Sequence, residues 1–233
     1  KLSEDLMIEG FKILEGSENS IGYELSDARL VRINGAWHIS SSINYSSHCI
    51  GKCCISIKNL DDDLTIIKSK NVINSPYGYD LEKNWMPICD DQMDVAKFIY
   101  SVSPTIVVEI KEQEAVIISE AEGPKEIIGA RGGSQVVPVG NNTWIAIVHH
   151  TFQFDRRYYV HRFVTFECRY NKYLIKGYSR TFCLHAQRDV EFAAGLALRG
   201  EEIFISYGYR DNEAWIFRAP LKKIIDLIEP CWK

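Results

Sequence analysis

Four polar segments stand out for the chemistry their side chains can carry: Ser26-Asp27-Ala28-Arg29, Glu82-Lys83-Asn84-Trp85, Arg131-Gly132-Gly133-Ser134 and Asp189-Val190-Glu191-Phe192. Lys83, Arg131 and His149 suit an anion, since lysine and arginine are the usual phosphate partners and arginine can bind bidentately. Gly132-Gly133 would let backbone N–H groups come close to it. The competing reading balances Lys83 and Arg131 against Glu82, Glu191 and Asp211 in a buried polar network. Glu191 and Asp211 suit sugar hydroxyls, because a carboxylate accepts two hydrogen bonds at once, and either can act as a hydrolytic base. Asp211, in Arg210-Asp211-Asn212, also reads as a turn residue. Trp85 offers a face to stack on a sugar, and Tyr207 a hydroxyl to donate. Asp27 is a carboxyl two residues from Arg29, either a proton donor or a group paired with that arginine or capping a turn.

These segments are positioned by strands. Ala28–Ile33, Ala36–Ser41, Thr105–Ile110, Ala115–Ser119, Gln135–Val139, Trp144–His149, Tyr158–Phe166, Tyr173–Gly177, Gly195–Leu198, Glu202–Tyr207 and Glu213–Ala219 are short, rich in β-branched and aromatic residues, and mostly bounded by turn residues. Leu221–Ile228 reads as a short terminal helix after Pro220, and Asp91–Val95 as a helical turn or loop. Asn34-Gly35, Asn141-Asn142 and Arg199-Gly200 each separate an apolar strand from an aromatic one, and Asp90-Asp91 is a weaker fourth case. These turns recur about 50–58 residues apart, close to the ~40–50-residue period of propeller blades. A sandwich also has regular short strands, but it does not repeat one strand–turn–aromatic-strand unit four times. The expected fold is therefore an all-β propeller occupying 1–233 as a single domain, whole or part of a longer chain. The inner strands of its blades would bring the four polar segments to one axis. Trp37 and Trp144, in the second strand of their units, are expected in the core.

The same segments resemble the five-bladed propellers of glycoside hydrolase family 130 and their relatives, which act on β-mannosides by phosphorolysis, hydrolysis or transfer. Asp27-Ala28-Arg29 is similar to the family's Asp-Pro-Arg, with Ala28 in place of proline. Lys83-Asn84 with Pro87 resembles its Lys-Asn…Pro segment. Gly132-Gly133-Ser134 followed by Thr143–His149 resembles its Gly-rich strand and the Trp-Leu…Tyr-His strand after it. Val190–Gly195 with Ile205–Asp211 resembles its Val-x-Phe-x-x-Gly and Tyr-Tyr-Gly-x-x-Asp pair. The resemblance runs from about Glu24 onward. It implies five blades, four of them clear here and the N-terminal one missing or degenerate. It implies Asp27 as the acid that protonates a leaving glycosidic oxygen with inversion. Arg29, Asn84, Trp85, Lys83, Arg131, His149, Tyr207 and Asp211 would contact substrate, and Glu191 would be a second catalytic carboxylate. The partner would be an oligosaccharide, with no cofactor other than inorganic phosphate as a co-substrate. Glu82-Lys83-Asn84-Trp85 also resembles propeller domains attached to bacterial glycosyltransferases, which implies the alternative of a non-catalytic glycan-binding or scaffolding propeller.

Composition agrees with a packed domain: of 233 residues, 46% are hydrophobic and 25% charged. A net charge of −4 argues against a nucleic-acid partner, and no apolar run reaches the ~18 residues that span a bilayer. Seven cysteines include Cys49 and Cys53 at a zinc-like spacing, but no second pair follows. Reduced thiols and a cytoplasmic location are expected. His149, His150 and His161 do not read as a metal site, because adjacent strand residues face opposite ways. Asp155-Arg156-Arg157 reads as a solvated hairpin loop, and two N-x-[ST] sequons, at Asn44 and Asn141, as chance.

Overall fold

Trp144-Ile145-Ala146-Ile147-Val148 is an unbroken apolar run, and a strand made of it needs cover on both faces. Stacked blades give that cover. The computed structural model describes residues 6, 26–44, 53–63, 65–66, 71–90 and 94–231, and they form a β-propeller arrangement of four blades. The first blade holds β1 (Ser26–Ile33), β2 (Ala36–Asn44), β3 (Cys53–Asn59) and β4 (Asn71–Ile73). The second holds β5 (Met86–Pro87), β6 (Lys97–Ser101), β7 (Thr105–Lys111) and β8 (Glu114–Ala121). In the third, β9 (Arg131–Gly132) and β10 (Val137–Gly140) both pair with β11 (Thr143–Gln153), followed by β12 (Arg157–Arg169) and β13 (Lys172–Ser179). The fourth holds β14 (Glu191–Arg199), β15 (Glu202–Tyr209) and β16 (Glu213–Pro220). The chain then forms α1 (Leu221–Ile225) and returns through β17 (Ile228–Pro230) to pair with β13. Successive strands within a blade are antiparallel.

The apolar run settles how blades pack. Trp144, Ala146 and Val148 join Met86, Ile88, Ile99 and Val107 of the second blade in one core. Ile145 and Ile147, alternating with them, join Leu196, Ile203 and Ile205 of the fourth blade in another. A third core joins Ile55, Ile57 and Ile73 of the first blade to Trp85, Phe98 and Val108 of the second. Among the described residues no such core spans the fourth and first blades. There β14 runs beside β1, and Gln135 bridges the two: its amide donates to Leu30 O at 3.2 Å and accepts from Leu196 N–H at 2.9 Å.

Asn34-Gly35 turns β1 into β2 with both residues at positive φ, and Asn141-Asn142 does the same between β10 and β11. This is the primed turn that suits right-twisted hairpins. Arg199-Gly200 also lies between paired strands, with Gly200 at φ 58°. The Asp90-Asp91 expectation is not met as a tight turn. Residues 88–96 connect β5 to β6, and Asp91 lies outside the described residues.

Two tryptophans depart from their expected burial. Trp37 is 41% exposed, with the Arg32 guanidinium 5.9 Å from its ring, because no described element covers that side of β2. Trp85, expected to stack on a sugar, is 1% exposed and packs edge-on against Phe98 and Tyr100. Its indole N–H donates to Glu82 Oε2 at 3.0 Å. Trp85→Ala is accordingly expected to cost ~3–5 kcal/mol of stability, as for other buried aromatics, read from the urea midpoint. A midpoint unchanged from wild type would return Trp85 to the site.

Cys54 departs from the expectation of reduced thiols: it is disulfide-bonded. Strand alternation explains why its neighbour is not. Cys53 is buried and donates to Glu82 O at 3.1 Å. His48 to Lys52, and with them Cys49, lie outside the described residues, as does most of the N-terminal stretch assigned to a degenerate blade. No described helix is long and apolar enough to cross a membrane.

Candidate functional site

The site is built where inner strands begin. A register shift in β1 between Ser26 and Arg29 leaves Asp27 at φ 54°, a backbone state short polar residues tolerate. The bulge turns Arg29 inward, where it is 3% exposed. Its Nε donates to Gly133 O at 2.6 Å and its Nη1 to Asp27 O at 2.7 Å. Its guanidinium lies 5.6 Å from the centre of the Phe192 ring. Burial lowers its pKa to about 10, against the raising effect of Asp27, so it remains a cation at neutral pH. The Asp27 carboxylate accepts no hydrogen bond from the described residues.

Gly133 makes this possible. A Cβ there would lie 2.6 Å from Ile147 O and 3.0 Å from Ala193 O, both backbone, so only glycine lets the third and fourth blades close on Arg29. A Cβ at Gly132 would collide with the Asn84 carbonyl. The Lys83-Asn84 segment therefore lies against Arg131-Gly132. Lys83, exposed, and Asp27 both act electrostatically on the Cys53 thiol, whose pKa burial raises.

His149 is 3% exposed. Its ring centre lies 5.2 Å from that of Tyr159 and 5.3 Å from that of Phe192. Burial first, then the charges of His161, Arg131, Arg29 and His150, push its pKa down to about 3. It is a neutral imidazole, so what it can offer an anion is an N–H hydrogen bond and not a charge. Among the described residues, the buried nitrogens without a hydrogen-bond partner include Arg29 Nη2, His149 Nδ1 and both ring nitrogens of His161. Buried donors left so are costly unless something occupies them.

Asp27, Arg29, Arg131 and His149 thus come together, with the Asn84 backbone against Gly132, and other expected contacts do not. Glu191 is fully buried and its oxygens are spoken for: they accept from Leu184 N–H at 2.7 Å and His185 N–H at 2.8 Å, with His161 Nδ1 at 3.2 Å. A carboxylate so enclosed cannot reach a water to activate it. Asp211 is exposed at φ 52° in the turn between β15 and β16, as its turn reading had it. Tyr207 packs in the core between the third and fourth blades, and burial, then Glu191, raises its hydroxyl pKa. Trp85 is core. Arg156 reaches Asp189 Oδ2 at 3.4 Å from its exposed loop. Among the described residues, no group of three His, Cys, Asp or Glu is placed to hold a metal.

Sequence reasoning missed Phe192 as the shared neighbour of Arg29 and His149, and His161 as part of the cluster. His161 was legible in principle. In the β11–β12 hairpin each residue pairs with its mirror image about Asp155, which sets His149 opposite His161.

No protein-family profile matches this chain, and no curated protein matches it. Solved structures do. A β-1,2-mannobiose phosphorylase from Listeria innocua, in complex with β-1,2-mannobiose, aligns with 87% of this chain at a TM-score of 0.62 and 16% identity. A glycosyl hydrolase from Bacteroides ovatus aligns with 88% of this chain at a TM-score of 0.61 and 8% identity, covering 69% of its own length. The present chain spans 60% of the phosphorylase. At these identities the likeness shows a shared propeller fold.

Proposed function

We propose that this propeller acts on a glycosidic bond of a mannoside-like oligosaccharide with inversion, and that inorganic phosphate is the attacking group. The observation that carries the reading is Arg29: a guanidinium enclosed by three blades, with Nη2 unpartnered, two residues from the Asp27 carboxyl. Asp27 gives its proton to the leaving glycosidic oxygen as the bond to the anomeric carbon breaks. A phosphate oxygen, held by Arg29 and Arg131, forms the new bond from the opposite face. His149, neutral, supplies a hydrogen bond rather than a charge. Hydrolysis would need a base for water, and of the two carboxylates expected for that role Glu191 is enclosed and Asp211 lies in the exposed β15–β16 turn. The propellers it resembles in fold include one named for β-1,2-mannobiose phosphorolysis, which supports the same choice.

Calorimetric titration of the protein with inorganic phosphate and with β-1,2-mannobiose tests this. Binding of both at millimolar concentration is expected, with phosphate binding lost in Arg131→Met, whose exposed side chain makes the variant safe to fold. Binding of neither ligand refutes the reading. Sugar binding without turnover would favour the non-catalytic glycan-binding alternative.

A further inference from the structure

The connection from the first blade to the second carries apolar side chains into solvent. Tyr77, Tyr79 and Leu81 are exposed, the last two at 60% and 71%. Exposed apolar residues scattered singly need no explanation, but a cluster of them marks a contact surface. These three are clustered on a segment tied down at both ends. Upstream, Asn74 N–H donates to Gln113 O at 2.7 Å, and Asn74 O accepts from Ala115 N–H at 3.0 Å. Downstream, Cys53 N–H donates to Asp80 O and Glu82 N–H to Cys53 O, both at 2.8 Å. Glu82 is the anchor between them. Its buried carboxylate accepts from the Ser75 hydroxyl, from the Trp85 indole N–H at 3.0 Å and from the Tyr100 hydroxyl at 3.1 Å. The Ser75 hydroxyl in turn accepts from Tyr77 N–H at 3.2 Å. Phe98, Trp85, Tyr100, Tyr77 and Tyr79 form a file of rings from the core between the first two blades to the surface, with successive centres 5.0 to 5.9 Å apart. The outer two are stacked, 19° from parallel.

The segment leads to the polar cluster. Ser26, Ser42, Ile55 and Ile73 lie in one row across the first blade, so the chain leaves β4 at the end where Asp27 enters β1. Where Leu81 bridges to Cys53, Leu81 and Lys83 are exposed and Glu82 between them is buried, the alternation of extended chain. The next residue, Asn84, has its carbonyl against Gly132.

We propose that Tyr77, Tyr79 and Leu81 are a platform for the sugar rings of an oligosaccharide beyond the one whose bond is broken. The inference rests on the proposed glycosidic function and extends it: a disaccharide fills the polar cluster, and a longer chain runs out over Leu81 to Tyr79. One face of a pyranose is lined with C–H groups, which suit the negative face of an aromatic ring. Tyr79 has one face backed by Tyr77 and stands largely in solvent, and the pinned segment loses little freedom when a ring settles on it. The charged side chains of Asp80 and Lys83, exposed among these residues, suit sugar hydroxyls. They are poorly suited to the centre of a protein–protein interface, where charged residues are depleted.

Calorimetry with β-1,2-linked mannose oligomers of two, three and four residues tests this. The wild type is expected to bind the tetramer more tightly than the dimer. Tyr79→Ala should bind the dimer as the wild type does and lose the gain with length, a loss on the order of tenfold for one stacked ring. Tyr79→Phe, which keeps the ring, should keep the gain. A wild type that binds the dimer but gains nothing from further residues overturns the platform and leaves the functional reading standing. A Tyr79→Ala protein that keeps the full gain does the same. Binding of no oligomer refutes both. If sedimentation shows that the wild type self-associates and Tyr79→Ala does not, the patch belongs to a second copy of this chain and the inference falls.

Discussion

Asp27→Asn is expected to reduce turnover of a β-mannoside by about 10²–10⁴-fold, the usual contribution of a positioned general acid, with the folded structure intact. The side chain supports this separation of effects. Its carboxylate accepts no hydrogen bond from the described residues, and Arg29 is held through the Asp27 carbonyl, which asparagine retains. Phosphate binding should survive, since the guanidinium keeps its place. A substrate with an activated leaving group, needing little protonation, should recover most of the lost rate in Asp27→Asn. Full activity on the natural type of linkage would remove Asp27 as the acid. Loss of phosphate binding as well would show that asparagine disturbs Arg29.

The second large effect is on stability in acid. His149 titrates near 6.5 when exposed and at about 3 in the folded protein. Between those values the unfolded chain binds the extra proton, so stability rises with pH across the interval. The stabilisation is complete above about pH 6.5 and is lost progressively as pH falls toward 3. Each tenfold difference in proton affinity is worth ~1.4 kcal/mol, so the loss amounts to as much as ~4–5 kcal/mol, a large part of a typical domain's stability. His150, whose pKa is lowered by burial and by Arg162, adds in the same direction. Urea midpoints measured across this interval should fall steeply for the wild type and distinctly less for His149→Gln. Parallel slopes would mean that His149 is not buried as a neutral ring.

The architecture was readable because its signals are local. Asn34-Gly35 and Asn141-Asn142 announce their turns, and the run from Trp144 to Val148 announces a strand covered on both sides. The inner strands of the second and third blades were not readable. β5 and β9 are two residues each, too short for any period, and they are strands only because β6 and β11 pair with them. Trp37 and Trp85 show a different limit. Both are aromatic residues in or beside short strands, and which one is covered depends on the neighbouring blade. The candidate cluster was foreseen as a meeting of segments, and Asp27, Arg29, Arg131 and His149 do meet. What could not be foreseen is that Glu191, grouped with them by its chemistry, lies behind the cluster. Its oxygens are taken by Leu184, His185 and His161, and nothing in Val190-Glu191-Phe192 says so.

The seam between β1 and β14 gives this ring a latch. Three of its seams adhere through apolar area, which resists parting in proportion to what is exposed and yields gradually. Among the described residues the fourth is held by polar side chains: Gln135 grips Leu30 on one side and Leu196 on the other, and Arg29 reaches across to Gly133 and lies against the Phe192 ring. A fastening of that kind is engaged or released, with little in between. Among the described residues the ring is therefore held unevenly, and the seam held by polar contacts is the one that runs alongside Asp27 and Arg29.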